Sequence, residues 1–189
     1  MEILKQKDLV YPCFCTRKDI QQSLSAPHGA TEIIYPGTCR NLPKEQSAQR
    51  IAAGESHAWR FHSNKAAALH GELNFDDLRF GKSIVNPNAN GDAVLARKDI
   101  GIAYHLAVVV DDAFQNISHV TRGDDLLEST HIHRQLQAVL EFPEPTYLHH
   151  RCICDETGKR LAKRDDARSI FQLREKGLSP EDVLKMATP

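Results

Sequence analysis

Ala103-Tyr104-His105-Leu106-Ala107-Val108-Val109-Val110, closed by Asp111-Asp112, is the strongest local signal in the chain, and its reading decides the fold. The run is nearly continuous in apolar residues and β-branched toward its end, which suits a strand buried on both faces of a sheet. Beyond it, Ser129 or Thr130 is placed to cap a helix whose Ile132, Leu136, Val139 and Leu140 share one face, and Pro143 stops it. Tyr147 to Cys154 reads as the next strand, closed by Gly158. Strand, helix, strand is half of a parallel unit, so the expected fold class is α/β.

Working outward, changes of hydrophobic period divide the chain into four segments. Residues 1–54 carry Cys13, Cys15 and Cys39 in short turns, then a helix from Pro43 to Ala53 with Gly54 at its end. Residues 55–97 read as strands: His57 to His62 alternates, Gly81 and Asn86-Pro87-Asn88-Ala89-Asn90-Gly91-Asp92 are turn chemistry, and Ala93 to Arg97 resumes an apolar pattern. Residues 98–158 hold the strand, helix, strand run. Residues 159–189 open with Lys159-Arg160-Leu161-Ala162-Lys163-Arg164. A helix with Ala167, Ile170, Phe171 and Arg174 in register follows, Gly177 closes it, and Ser179-Pro180-Glu181-Asp182 starts a last helix.

The 189 residues are 41% hydrophobic, enough for a real core, which excludes a disordered chain. Lys and Arg number 24 against 25 Asp and Glu, so no overall charge holds the chain on nucleic acid or membrane, and any RNA contact must be local. No window approaches a membrane span and Met1 is followed by charged residues, so a cytoplasmic protein without membrane contact is expected. Five cysteines, an odd number, argue for reduced thiols kept for metal or packing.

Cys13-Phe14-Cys15 and Cys39 supply three soft ligands from two loops, and zinc wants four. Tyr35, across a Pro-Gly turn from Cys39, and His28 are the rival fourth ligands. Spacing alone supports a metal site and three buried free thiols equally. Cys152 and Cys154 share one face of an expected strand and read as core. His131, His133, His149 and His150 fit no metal-ligand helix pattern and read as surface or satisfied core residues. The Lys159 to Arg164 loop could grip a triphosphate, although taken by itself it reads first as a solvated basic turn. Arg122, in Thr121-Arg122-Gly123-Asp124-Asp125-Leu126, is placed just beyond the sheet. It could hold a carboxylate by two parallel hydrogen bonds or pair with Asp124 or Asp125. No glycine-rich dinucleotide motif, P-loop or nucleophile elbow occurs.

Taken in order, these pieces resemble the class I glutamyl-tRNA synthetases, and most closely their short paralogues, the glutamyl-queuosine tRNA(Asp) synthetases. Cys13, Cys15, Tyr35 and Cys39 match the paralogues' Cys-x-Cys and Tyr-x-x-x-Cys zinc ligands, which favours Tyr35 over His28 and implies a structural Zn2+. The stretch from Ala103 to Leu126 follows the family pattern, and on it Tyr104 and Arg122 fall on glutamate-binding residues. Arg160-Leu161-Ala162-Lys163-Arg164 occupies the place of the KMSKS loop. Lys163 matches its second, ATP-contacting lysine, while Arg160 and Ala162 depart from its first lysine and serine.

The fold this resemblance implies is the second half of a Rossmann-like nucleotide-binding domain, spanning 98–158. A zinc-bearing region (1–54), a β-rich insertion (55–97) and a KMSKS-like loop with a helical appendage (159–189) complete it. The implied reaction is ATP-dependent activation of L-glutamate, with Mg2+ accompanying ATP, and transfer to the queuosine base in the anticodon loop of tRNA(Asp). The implied partners are thus ATP, L-glutamate and tRNA, and a monomer is expected. The family's HIGH-type signature, N-terminal to the zinc region, has no counterpart here, so the chain alone is expected to be a weak or inactive enzyme. The rival readings are part of an ordinary glutamyl-tRNA synthetase acting on tRNA(Glu), and a non-catalytic zinc-bearing remnant that binds tRNA or a partner.

Overall fold

The computed structural model describes residues 1–16, 18–20, 34–97, 99, 101–154 and 169–187. His28 and the loop containing Lys163 lie outside these residues. Among the described residues, two four-stranded sheets organise the fold. The first is antiparallel, in the order β1 (Val10–Cys13), β2 (Ala58–Phe61), β5 (Val94–Arg97), β6 (Gly101–Ile102). The second is mixed, in the order β4 (Gly81–Ile84), β3 (Asn74–Asp77), β8 (Thr146–His150), β7 (His119–Gly123). In it β8 runs parallel to both β3 and β7, whereas β3 and β4 form an antiparallel hairpin.

Helices among the described residues include α1 (Glu2–Gln6), α2 (Lys44–Ala52), α3 (Ser63–His70), α4 (Tyr104–Phe114), α5 (Leu127–Leu140), α6 (Ile170–Glu175) and α7 (Pro180–Ala187). The connection β7–α5–β8 is the parallel unit expected from the sequence, but its first strand is β7 rather than the apolar run. Residues 104–114 are helical. Leu106 and Val109 are buried one turn apart, while Val110 and Phe114 are exposed. The alternation of a strand is absent, and the helix continues through Asp111 and Asp112, the residues read as its end. A short apolar run carries no period of its own, and packing against Ile132 and Leu136 of α5 overrides the β preference of three valines.

Other boundaries also differ from the sequence reading. α3 interrupts the segment read as strands. β8 ends at His150, so Cys152 is only half-buried and Cys154 is exposed, and neither belongs to the core. α5 starts at Leu127 with no side-chain cap, and Thr130 is fully buried within it. At the C-terminus, Ser169 and Gln172 form a reciprocal cap on α6, and Ser179 pairs with Asp182 ahead of α7 in the same manner.

One buried cluster joins the elements: Leu4, Leu9, Val10, Phe61, Leu95, Leu106, Val109, Ile132, Leu136 and Val139 close between the first sheet and helices α1, α4 and α5. A buried carboxylate then ties the first sheet to the cysteine loops. Asp92 accepts from the Tyr11 hydroxyl at 2.5 Å, Arg40 Nε at 2.7 Å and the Ser63 amide at 3.2 Å. Leu136→Ala, at a fully buried site, should therefore cost about 2–5 kcal/mol of unfolding free energy in denaturant titration. Phe114→Ala, at 86% exposure, should stay within about 0.5 kcal/mol of the parent.

Candidate functional site

β1 carries Cys13 at its end and passes directly to Cys15, while the turn after Pro36-Gly37 brings back Tyr35 and Cys39. Gly37 makes that turn possible, since its φ of +83° is disfavoured for a residue with a side chain. The three sulfur atoms lie within 4.8 Å of one another, and Cys15 Sγ is 3.6 Å from Cys39 Sγ. The Tyr35 hydroxyl stands 3.3 Å from Cys13 Sγ and 3.9 Å from Cys15 Sγ, and accepts from the Cys39 amide at 2.7 Å. A tetrahedral ion with ~2.3 Å metal–sulfur bonds separates its sulfurs by about 3.8 Å, so these donors fit such an ion and could hold it.

The local electrostatics are uneven. Burial raises the Cys13 thiol, but hydrogen bonds with Tyr35 and Arg60 outweigh it and leave the thiol below its ordinary value. Burial and the hydrogen bond with Cys39 push Cys15 up to about 11. The Arg60 guanidinium lies 3.7 Å from the centre of the Tyr35 ring, a buried positive charge at the edge of the cluster.

The second constellation is built where β7, β8 and α5 meet. Arg122 lies within β7, not beyond it, and its side chain is buried. Its Nε donates to His149 Nε2 at 3.0 Å, one terminal nitrogen to His133 Nδ1 at 3.0 Å, and the other to Thr130 Oγ1 at 2.6 Å. Neither Asp124 nor Asp125 forms a salt bridge with it; Asp124 pairs with Arg79 at 3.1 Å, and Asp125 contacts Cys152 Sγ. Among the described residues no carboxylate lies within salt-bridge distance of Arg122. Gly123 permits the close turn that follows, since a side chain there would meet Asp125 Oδ1 at 2.4 Å.

Further partners extend the network in two directions. His149 Nδ1 is 2.6 Å from Asp77 Oδ2, and Asp77 also accepts the amides of Arg79, Phe80 and His149. Burial opposes the charge on Asp77, but these bonds hold its carboxyl below the ordinary range. On the other side, His133 Nε2 is 3.1 Å from His105 Nδ1, and Tyr104 packs edge-on against both rings at 5.5 and 5.7 Å between centres. Burial, reinforced by the Arg122 charge, drives His133 down to about 2. His149 and His105 are also lowered, burial being the leading cause in each.

The structure thus brings Cys13, Cys15, Tyr35 and Cys39 together in one cluster, and Tyr104 and Arg122 to opposite ends of another. Asp77, His133 and His149 are the members that sequence reasoning missed. They come from three separate elements, and no spacing in the sequence links them.

Comparison with known proteins assigns the chain to a family. Residues 1–188 match the family model for tRNA synthetases class I (E and Q), catalytic domain. The glutamyl-Q tRNA(Asp) synthetase of Rhodobacter capsulatus is 43% identical, over 98% of this chain and 69% of that protein. The glutamyl-Q tRNA(Asp) synthetase of Nocardia farcinica is 40% identical, over 98% of this chain and 57% of its own length. The chain thus spans between half and about two thirds of these relatives. The crystal structure of glutamate-tRNA synthetase from Elizabethkingia anophelis superposes with a TM-score of 0.70 at 28% identity, covering 87% of this chain and 34% of that one. With a family match over almost its whole length, and an α/β fold of mixed sheets shared with a solved member, the chain belongs to the class I tRNA synthetase catalytic-domain family of the E and Q type.

Proposed function

We propose that this chain forms the glutamate-binding part of a ligase that activates L-glutamate with ATP and transfers it to the queuosine base of tRNA(Asp). The observation that carries this reading is the buried Arg122 guanidinium, bonded only to uncharged groups among the described residues, with Tyr104 at the rim. Such a cation lacks an anion, and a substrate carboxylate supplies one. In the reaction, a glutamate carboxylate oxygen bonds to the α-phosphorus of ATP and pyrophosphate leaves. Lys163 would meet the charge that gathers on the leaving group, with Mg2+ accompanying the nucleotide. The names of the Rhodobacter and Nocardia relatives favour tRNA(Asp) as acceptor. The likeness to a glutamate-tRNA synthetase favours a second reading, charging of tRNA(Glu), and labelled glutamate offered with each tRNA separates the two.

Cys13, Cys15, Tyr35 and Cys39 would hold one Zn2+ with a structural role, because four protein ligands leave no open position for substrate. The expected setting is the cytoplasm. Among the described residues no helix is long and apolar enough to cross a membrane.

Metal analysis should give about one zinc per chain, with Cys39→Ser losing most of it and Cys154→Ser retaining it. Titration with L-glutamate should show Arg122→Gln binding about a hundredfold more weakly than the parent, the loss expected for a charge-assisted contact of ~2–3 kcal/mol. Arg97→Gln, at a half-buried site paired with Asp99, should leave the affinity unchanged. Equal affinity in Arg122→Gln would overturn the carboxylate assignment.

A further inference from the structure

An arginine has only donors to offer, so each ring nitrogen that meets Arg122 must present a lone pair. That condition fixes both histidines. His149 Nε2 accepts from Arg122 Nε, so its proton sits on Nδ1 and is donated to Asp77 Oδ2 at 2.6 Å. His133 Nδ1 accepts from a terminal nitrogen of Arg122, so its proton sits on Nε2 and is donated to His105 Nδ1 at 3.1 Å. Both rings are therefore neutral, with opposite tautomers, and two directed chains leave the guanidinium: Arg122 to His149 to Asp77, and Arg122 to His133 to His105. His133 and His149 are almost wholly shielded from solvent, so no water competes for these bonds.

The remaining groups around Arg122 are consistent with this arrangement. Thr130 of α5 accepts from it, the Tyr147 ring of β8 lies 5.4 Å from the guanidinium carbon, and Asp112 of α4 senses its charge from beyond hydrogen-bond distance. Three of the five N–H groups of an arginine are engaged by these partners. Had a carboxylate taken the place of either histidine, it would have neutralised the guanidinium and satisfied it within the fold. Neutral acceptors fix the orientation and leave the charge for a ligand.

We infer that His133 and His149 are positioning residues, held in single tautomers by His105 and Asp77, which lock the Arg122 guanidinium in the orientation that meets a substrate carboxylate. The inference rests on the assignment of Arg122 to the glutamate pocket. Asp77 acts one bond further back: it accepts the proton that the Arg122 bond places on Nδ1 of His149, and three backbone amides hold its carboxylate there.

The test uses the 15N-histidine-labelled chain and L-glutamate titration together. Long-range proton–nitrogen spectra at neutral pH should show His149 protonated on Nδ1 and His133 on Nε2. His133→Gln keeps an acceptor oxygen and should hold glutamate affinity within about threefold, whereas His133→Leu, checked for folding by denaturant titration, should lose about tenfold or more. A merely structural histidine would make the two variants alike. Reversed tautomers, or His133→Leu binding glutamate as tightly as the parent, overturn the positioning role. A parent chain that shows the stated tautomers but no affinity for L-glutamate overturns instead the carboxylate assignment of Arg122, and with it the ligand named here.

Discussion

A guanidinium cannot lose its proton inside a protein, so wherever Arg122 is buried its charge is buried with it, and the surroundings must accommodate that. β7 and β8 lie side by side, in parallel register, and place Arg122 directly opposite His149. α5, which links the two strands, delivers Thr130 and His133 from its first turns. The β–α–β connection is thus the frame that carries the acceptors, and the polar cluster in turn requires each element to keep its register. A one-residue slip of β7 would turn Arg122 to the other face of the sheet.

The two clusters solve opposite electrostatic problems. Around Arg122, neutral rings surround a cation. Around Cys15 and Cys39, thiols crowd together, with Arg60 stacked on the Tyr35 ring and Asp92 taking hydrogen bonds from both Tyr11 and Arg40. Asp92 belongs to the turn that the sequence marks by its Asn, Pro and Gly content, so that turn has a second role as an anchor beneath the cysteine loops.

How much of this was legible in the sequence depended on whether local chemistry or distant contact set the outcome. The cysteine cluster could be read because Cys13-Phe14-Cys15 and the Tyr35-Pro36-Gly37 turn carry their own geometry; spacing leaves metal and free thiols equal, and the gathered sulfurs form a group that could hold an ion. α5 was legible from its apolar stripe and the start of α7 from its Ser and acid spacing, whereas the Ser169–Gln172 cap of α6 was not read from the sequence. The run from Ala103 was not, since Val108, Val109 and Val110 favour a strand locally and only packing against α5 makes the segment helical. The ends of β8 and α5 were misplaced for a related reason. Cys152 and Thr130 have residue types that suit the expected strand and cap, but their contacts, with Asp125 and Arg122, come from elsewhere in the chain. His133 and His149 carried no signal because a neutral acceptor for arginine needs no fixed spacing, only a strand pairing that places it there.

The central claim is that the partners of Arg122 are uncharged in the folded protein, and the pH dependence of unfolding tests it. In the unfolded chain His133 titrates near its ordinary value of ~6.5, while in the fold it is held down to about 2. The unfolded state therefore takes up a proton that the folded state refuses, and stability falls as pH drops below about 6.5. His133→Gln removes that uptake. Denaturant titrations of the two chains between about pH 5.5 and 4.5 should show the parent losing roughly 1.4 kcal/mol per pH unit more than the variant. Parallel curves for the two chains would mean that His133 is protonated beside Arg122 in the fold, and would contradict the account.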